Sequence, residues 1–256
     1  MKISIITLFP EMLAPFFDDS IIKRAKEKGA VEIELINLRD FALDAHGTVD
    51  DRPYGGGAGM VLMVEPIVSA INKVKSEKLR VKSSKIILTS AKGQVYSQKK
   101  ARELVKFDHL IIVAGHYEGV DERVIAHIDE EISIGDFILT GGELPAAMIV
   151  DSVVRLLPDV LKKEEATQEE SFFEVTLDEL IEICGSDPAL IKLKLKGKKK
   201  VRLLEYPHYT RPPVFEKMGV PAILMTGDHA KIQRWRIKQA YKETCEKRPD
   251  LLDKLS

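Results

Sequence analysis

The chain reads as an α/β protein built on a parallel sheet, followed by a small, mostly helical C-terminal domain. Three observations predict this. Short β-branched runs alternate with helical patterns over roughly the first 160 residues. Those runs read as buried strands of a parallel sheet. Beyond residue 162 the composition changes sharply.

The strands are expected at 3–8, 31–38, 85–88, 109–114 and 131–134. Helical patterns lie between them at 11–27, 65–74 (with Pro66 in the first turn), 98–105 and 122–127. A further helix, 145–156, stops before Pro158. Open sheets of this kind bind ligands at the carboxyl ends of strands, so the loops after Leu88, Ala114 and Ile134 are expected around one pocket.

Residues 164–182 carry eight acidic side chains and no basic ones, whereas 192–217 carry nine basic ones against two glutamates. The division expected is a sheet domain over 1–162, a linker with an insertion over 163–201, and a helical domain over 202–256. A short helix is expected at 177–184. Asp228 can cap a helix reaching about Lys247, whose apolar stripe is Ile237, Ala240, Tyr241 and Cys245. Trp235 falls off that stripe among basic residues, where it can pack on another element or on a nucleic acid.

A formal net charge of −1 leaves nucleic-acid binding to local charge distribution. The longest apolar runs fall far short of the ~18–20 residues of a membrane span. The first ten residues read as a strand rather than a signal peptide. Cys184 and Cys245 have no metal-type spacing, which suits unpaired thiols in a reducing cytoplasm.

The most informative stretch is Ser133-Ile-Gly-Asp-Phe-Ile-Leu-Thr-Gly-Gly-Glu-Leu-Pro145. It offers backbone groups and flat apolar walls, which suit a neutral adenine and ribose, and it lacks the lysine of a triphosphate loop. On its own it reads first as a glycine-marked turn between a strand and a helix, and the other motifs shift that reading. Three other constellations accompany it. Asp50-Asp-Arg-Pro-Tyr-Gly-Gly-Gly-Ala-Gly-Met60 reads as a loop that wraps a planar substrate, with Asp50, Arg52 and Tyr54 beside it. Ala114-Gly-His-Tyr-Glu-Gly-Val-Asp-Glu-Arg123 follows a buried strand; Tyr117 offers a wall, Glu118 an acceptor, and Asp121 either an acceptor or a helix cap. His116 has no companion at metal-ligand spacing. Last, Arg155 near a helix end either complements the helix dipole or pairs with the acidic loop 164–170, which the aromatics of Ser171-Phe-Phe can position.

In this order these motifs, with His46, Leu204-Glu-Tyr-Pro-His-Tyr-Thr-Arg-Pro-Pro and Gly227-Asp-His-Ala-Lys-Ile-Gln-Arg-Trp-Arg, resemble the bacterial tRNA (guanine-N1)-methyltransferase family of the knotted (SPOUT) superfamily. The resemblance spans nearly the whole chain except about 174–201. It implies a deep trefoil knot in the sheet domain and an obligate homodimer with interfacial active sites. It also implies methylation of N1 of guanosine 37, beside the anticodon, in tRNA carrying guanosine at positions 36 and 37. S-adenosylmethionine is implied among Thr89, Ser90, Gly93, Gly115, Tyr117, Glu118, Ser133, Ile134, Gly135, Asp136, Phe137, Ile138, Leu139, Gly141, Gly142 and Pro145. The tRNA is implied at His46, Asp50, Arg52, Tyr54, Gly59, His208 and Arg211, with Mg²⁺ an optional assistant.

The chemistry agrees. Guanine N1 carries a proton, so methylation needs a base, and a donor must meet the charge that develops on O6. Glu170 and Arg155 stand at the matching positions, with Glu169 the alternative base. Many relatives carry Asp-Ser-Phe where this chain has Glu170-Ser-Phe. The competing readings are a knotted methyltransferase acting on another RNA, base or ribose, and an RNA-binding module without catalysis.

Overall fold

The computed structural model describes residues 1–76, 82–161, 170–185 and 187–253. They form two compact units, Met1–Lys162 and Lys163–Ser256.

The first unit opens with β1 (Lys2–Thr7), α1 (Pro10–Phe17), α2 (Ser20–Glu27) and β2 (Glu32–Asn37). The single helix expected over 11–27 is thus two, because the chain leaves helical geometry at Asp18 and Asp19, where Asp19 accepts from Ser20 N–H. A short antiparallel ladder follows, β3 (Asp50–Asp51) with β4 (Val61–Leu62). Then come α3 (Val64–Ser76), β5 (Ser84–Val95), α4 (Gln98–Leu104), β6 (His109–Ala114), a 3-10 helix Glu122–His127, β7 (Glu130–Ser133) and α5 (Glu143–Val154).

The five long strands make one sheet in the order β2-β1-β6-β5-β7, every neighbouring pair parallel. Apolar residues of one strand serve opposite faces, as period-two geometry requires. Leu110 and Ile112 of β6 face a core shared with α1, α2 and α5, whereas Ile111 and Val113 face a second core under α3. Both faces of the central strand β6 are covered, which is why it is buried along its whole length, whereas β2 at the sheet edge carries Glu32 and Glu34.

One irregularity matters for function. In β5 both Thr89 and Gln94 register with Ile132 of β7, so the residues between them leave the ladder as a bulge at the carboxyl end of the sheet.

The second unit holds β8 (Phe173–Thr176), α6 (Leu177–Cys184), α7 (Pro188–Leu195), β9 (Lys200–Leu203), a hairpin of β10 (Val214–Phe215) with β11 (Met218–Gly219), α8 (His229–Lys247) and α9 (Asp250–Asp253). The expected linker 163–201 is, in its described part, folded. β8 and β9 pair antiparallel, and Leu177, Leu180, Leu190 and Leu193 share a core with Val201, Ile237 and Ala240. The unit is therefore not purely helical, and its core requires the stretch read as an insertion.

Asp228 caps α8 by accepting from Lys231 N–H at 3.1 Å. The buried stripe of α8 runs through Ile237, Ala240, Tyr241 and Thr244, with Cys245 exposed. Thr244 wins the inward position because its hydroxyl donates to Ala240 O at 2.7 Å and accepts from Leu204 N–H at 2.8 Å. Trp235 packs near Tyr209, ring centroids 6.4 Å apart. No described helix is long and apolar enough to cross a membrane.

Candidate functional site

A cavity of about 320 Å³ opens at the carboxyl ends of β5, β6 and β7. Its walls are Leu88–Lys92 from the end of β5 and its bulge, Gly115–Val120 after β6, and most of the segment from Glu131 to Gly142, with Pro145 of α5. Three loops expected around one pocket therefore meet around one pocket.

The walls are fixed by close backbone approach. Gly142 N–H donates to Gly115 O at 2.6 Å, and a β-carbon on Gly142 would lie 2.0 Å from Thr89 Oγ1. Thr89 Oγ1 accepts from Gly115 N–H at 3.2 Å and lies 3.3 Å from Val113 O, tying β5, β6 and the start of α5 together. His116 and Gly141 form an antiparallel bridge. Ser133 Oγ donates to Gly135 O at 3.0 Å, turning the chain where Gly135 takes a φ of +147°. Tyr117 holds a left-handed φ of +58°, an unusual conformation for a tyrosine and one that concentrates at binding sites.

Of the residues expected at the methyl donor, Thr89, Ser90, Gly115, Tyr117, Glu118, Ser133, Ile134, Gly135, Phe137, Ile138, Leu139, Gly141, Gly142 and Pro145 all line this cavity. Gly93 and Asp136 do not. Gly93 is where the β5 bulge returns to the sheet: a β-carbon there would meet the Glu131 backbone at 2.4 Å, so its glycine serves strand contact. The sequence reading missed Lys92, His116, Glu122 and Glu131, which also line the cavity. The wall thus holds three glutamates, counting Glu118, against one lysine, beside apolar Leu88, Ile134, Leu139 and Pro145. That donor set fits a neutral nucleoside joined to a cationic group.

The expected substrate residues lie elsewhere. The glycine-rich loop is stitched to the cavity wall rather than forming it: Glu118 N–H donates to Met60 O at 3.0 Å and Leu62 N–H to Gly119 O at 3.0 Å. A β-carbon on Gly59 would lie 2.5 Å from Glu118, so the Glu118 side chain rests on that glycine. Asp50 sits in β3, paired with Leu62, while Arg52 and Tyr54 are exposed. His46 is exposed on a turn held by Asp44, whose carboxyl is kept below its ordinary range chiefly by hydrogen bonds from Thr48. Asp121 caps the 3-10 helix, accepting from Arg123 N–H at 2.9 Å and from its guanidinium at 2.9 and 2.7 Å. That guanidinium holds the carboxyl low, and the capping role is the one the geometry gives it.

Arg155 is the half-buried C-cap of α5, does not line the cavity, and donates its backbone N–H to Asp151 O at 3.2 Å. Glu170 belongs to the second unit, where its carbonyl accepts from Phe173 N–H at 3.0 Å and Phe173 is buried in the core. Glu169 and the rest of the acidic loop back to Glu164 lie outside the described residues. In the second unit His208 Nε2 lies 2.8 Å from Glu205 Oε1, and its ring is 4.8 Å from that of Tyr206. Arg236 stacks over Tyr206 at 4.8 Å, and Arg211 is exposed nearby in sequence. Among the described residues no group of three or more His, Cys, Asp or Glu is arranged to hold a metal ion.

Comparison with known proteins identifies the family. A family model described as tRNA (Guanine-1)-methyltransferase TrmD matches residues 1–184 and 193–254. The departure from the family pattern therefore narrows from 174–201 to 185–192. A tRNA (guanine-N(1)-)-methyltransferase of Dictyoglomus turgidum is 49% identical over 100% of this chain and 91% of its own length. Proteins of the same description from Bacillus pumilus and Bacillus subtilis are 47% and 46% identical, over 99% and 98% of this chain and 92% of theirs. With a family model matching along nearly its whole length and relatives this similar end to end, the chain belongs to the tRNA (guanine-1)-methyltransferase TrmD family.

Proposed function

We propose that this enzyme, a tRNA (guanine-N1)-methyltransferase, methylates N1 of guanosine 37 using S-adenosylmethionine held in the cavity at the carboxyl ends of β5, β6 and β7. The carrying observation is the cavity: backbone-walled, apolar over much of its surface, and ringed by glutamates. Such a wall accepts an adenosine by shape and a sulfonium by charge. Bound there, S-adenosylmethionine supplies an electrophilic methyl group. Leu88, Ile134, Leu139 and Pro145, which line the cavity, would hold its adenosine, and Glu118, Glu122 or Glu131 would complement its positive charge.

The remaining chemistry falls to two side chains. Glu170, as a carboxylate, accepts the N1 proton of guanine, which frees the nitrogen lone pair for bond formation. Arg155 donates to O6, where negative charge develops as that proton leaves. The glycine-rich loop with Asp50, Arg52, Tyr54 and Gly59, together with His46, contacts the tRNA near the target base. His208, Arg211 and the aromatic cluster around Trp235 hold the tRNA through phosphate contacts and stacking. Guanosine 36 completes recognition.

The same reading places a deep trefoil knot in the first unit. The tight passage of Gly142 against Gly115, and of Gly93 against β7, supports a chain threaded between neighbouring loops. It also makes the enzyme a cytoplasmic homodimer with interfacial sites. Met12 and Phe16 of α1 and Leu144 and Met148 of α5 are exposed on packed helices, an apolar face that a second copy would cover.

The test is Glu170→Gln, assayed by methyl transfer to tRNA transcripts with and without guanosine at positions 36 and 37. Turnover is expected to fall about 10²–10⁴-fold, with affinity for S-adenosylhomocysteine retained. Near-wild-type methylation by this variant would move the base to Glu169. Transfer to transcripts lacking either guanosine would sink the assignment of the target.

A further inference from the structure

One buried carboxylate has no part in the chemistry above. Glu143, the first residue of α5, is only 1% exposed. Burying a carboxylate is costly unless it is hydrogen-bonded and electrostatically matched. Here Thr7 Oγ1 donates to Glu143 Oε1 at 2.8 Å, and the helix N-terminus favours the negative charge. The other oxygen, Oε2, lies 3.4 Å from His116 Nδ1. That nitrogen is sealed from solvent and has no aligned hydrogen-bond partner among the described residues, so the contact with Glu143 is electrostatic.

The imidazole is gripped on its other sides. Its ring centroid lies 4.9 Å from that of Phe9 and 4.8 Å from that of Tyr117, the latter edge-on. His116 lines the cavity, and its side chain stays 17% exposed although Nδ1 is sealed, so what solvent reaches of this side chain lies away from Nδ1. Gly141 completes the arrangement. A β-carbon there would lie 2.3 Å from His116 Nδ1 and 2.4 Å from Glu143 Oε2. This glycine has no left-handed φ to explain it, so its missing side chain is the space in which the two groups meet.

We propose that Glu143 is a positioning residue for the methyl-transfer site, its buried carboxylate holding the His116 imidazole against the Gly141 backbone so that Nε2 accepts a hydrogen bond from the bound methyl donor. A carboxylate beside Nδ1 favours the Nδ1–H tautomer, and the opposite nitrogen is then an acceptor. An acceptor in this wall matches a ribose hydroxyl or an amine. The proposal rests on the cavity being the donor site.

The test joins a spectroscopic and a binding readout on the full chain. With ¹⁵N-labelled histidine, His116 is expected to show the Nδ1-protonated signature in the wild type and to lose it in Glu143→Gln. S-adenosylhomocysteine, measured by calorimetry, should bind about tenfold more weakly to Glu143→Gln. Gly141→Ala should show a similar loss, and the double variant little more than either single one, because both remove one contact. If Glu143→Gln does not fold, His116→Gln paired with Gly141→Ala completes the same cycle. An unchanged His116 spectrum in Glu143→Gln, or losses that multiply, overturns the positioning role. A wild type that binds S-adenosylhomocysteine while Glu143→Gln binds equally well overturns this proposal alone. A wild type that does not bind it overturns the donor-site reading and this proposal together.

Discussion

The two units present their surfaces by opposite means. In the first, the cavity is shaped by backbone: Gly115, Gly141 and Gly142 sit where a side chain would crowd a neighbouring wall, and Lys92, Glu118, Glu122 and Glu131 are its charged lining. In the second, the surface proposed to meet tRNA consists of exposed lysines and aromatics on a small core. The contrast follows from the ligands proposed. A small nucleoside must be surrounded, which demands fixed geometry and tolerates no added atoms. A polyanion is met over a wide surface, where affinity comes from many weak, salt-sensitive contacts. Single substitutions should therefore act abruptly in the first unit and gradually in the second.

The largest effect is expected at Gly142→Ala. Its new methyl would fall on Thr89 Oγ1 and lie 2.6 Å from Gly115 N, so backbone must move. Overpacking of this kind costs about 1–3 kcal/mol. S-adenosylhomocysteine affinity should fall about 100-fold, because the displaced atoms are the cavity wall itself. Calorimetry alongside a thermal melt separates the two losses. Unchanged affinity would show that the wall relaxes freely, and the contrast between the units would collapse.

An intermediate effect is expected from Lys192→Ala, Lys196→Ala and Lys199→Ala combined, all exposed residues of the second unit. If all three reach phosphates, the slope of log K against log salt should shrink by about 2–3. Cofactor affinity should not change. The same slope in wild type and variant would make this run a solvated surface, leaving the tRNA contacts to Arg211, His208 and the start of α8.

How far the sequence reveals each unit follows the same division. Short β-branched apolar runs identify the sheet strands, most plainly β6, which is buried along its whole length, whereas the edge strand β2 alternates apolar residues with glutamates. The glycines at 115, 141 and 142 mark the cavity for the same reason: close approach forbids side chains. What the sequence hides is why each glycine is there. Gly93 looks like part of the donor site yet serves a strand contact, because the β5 bulge depends on pairings distant along the chain. His116 and Glu143 carry no local signal of partnership, being 27 positions apart and joined only through the meeting of two loops. In the second unit, charge conceals structure. The acidic and basic runs around α6 and α7 look like a linker, yet Leu177, Leu180, Leu190 and Leu193 at helical spacing build its core. Cys245 and Thr244 exchange places for a comparable reason, since a hydroxyl that bonds locally is buried more readily than its polarity suggests.

The smallest effect tests whether charge also helps to hold the second unit together. Asp228 caps α8 and pairs with Lys231 at 2.9 Å. Hydrogen bonds from Lys231, side chain first and backbone second, hold its carboxyl below the ordinary range. A carboxylate with a lowered folded pKa contributes stability that is fully present above its unfolded value, about 3.9. That contribution fades as pH falls through the lower, folded value. Asn caps a helix about as well as Asp, so Asp228→Asn removes the charge and keeps the cap. The wild type should melt slightly higher than this variant at neutral pH, and the gap should close as the solution is acidified below pH 4. High salt should narrow it as well, because the pair is exposed and screened. Equal melting temperatures at neutral pH and low salt would mean that the cap geometry alone fixes α8, and that the charges of this unit serve its partner rather than its fold.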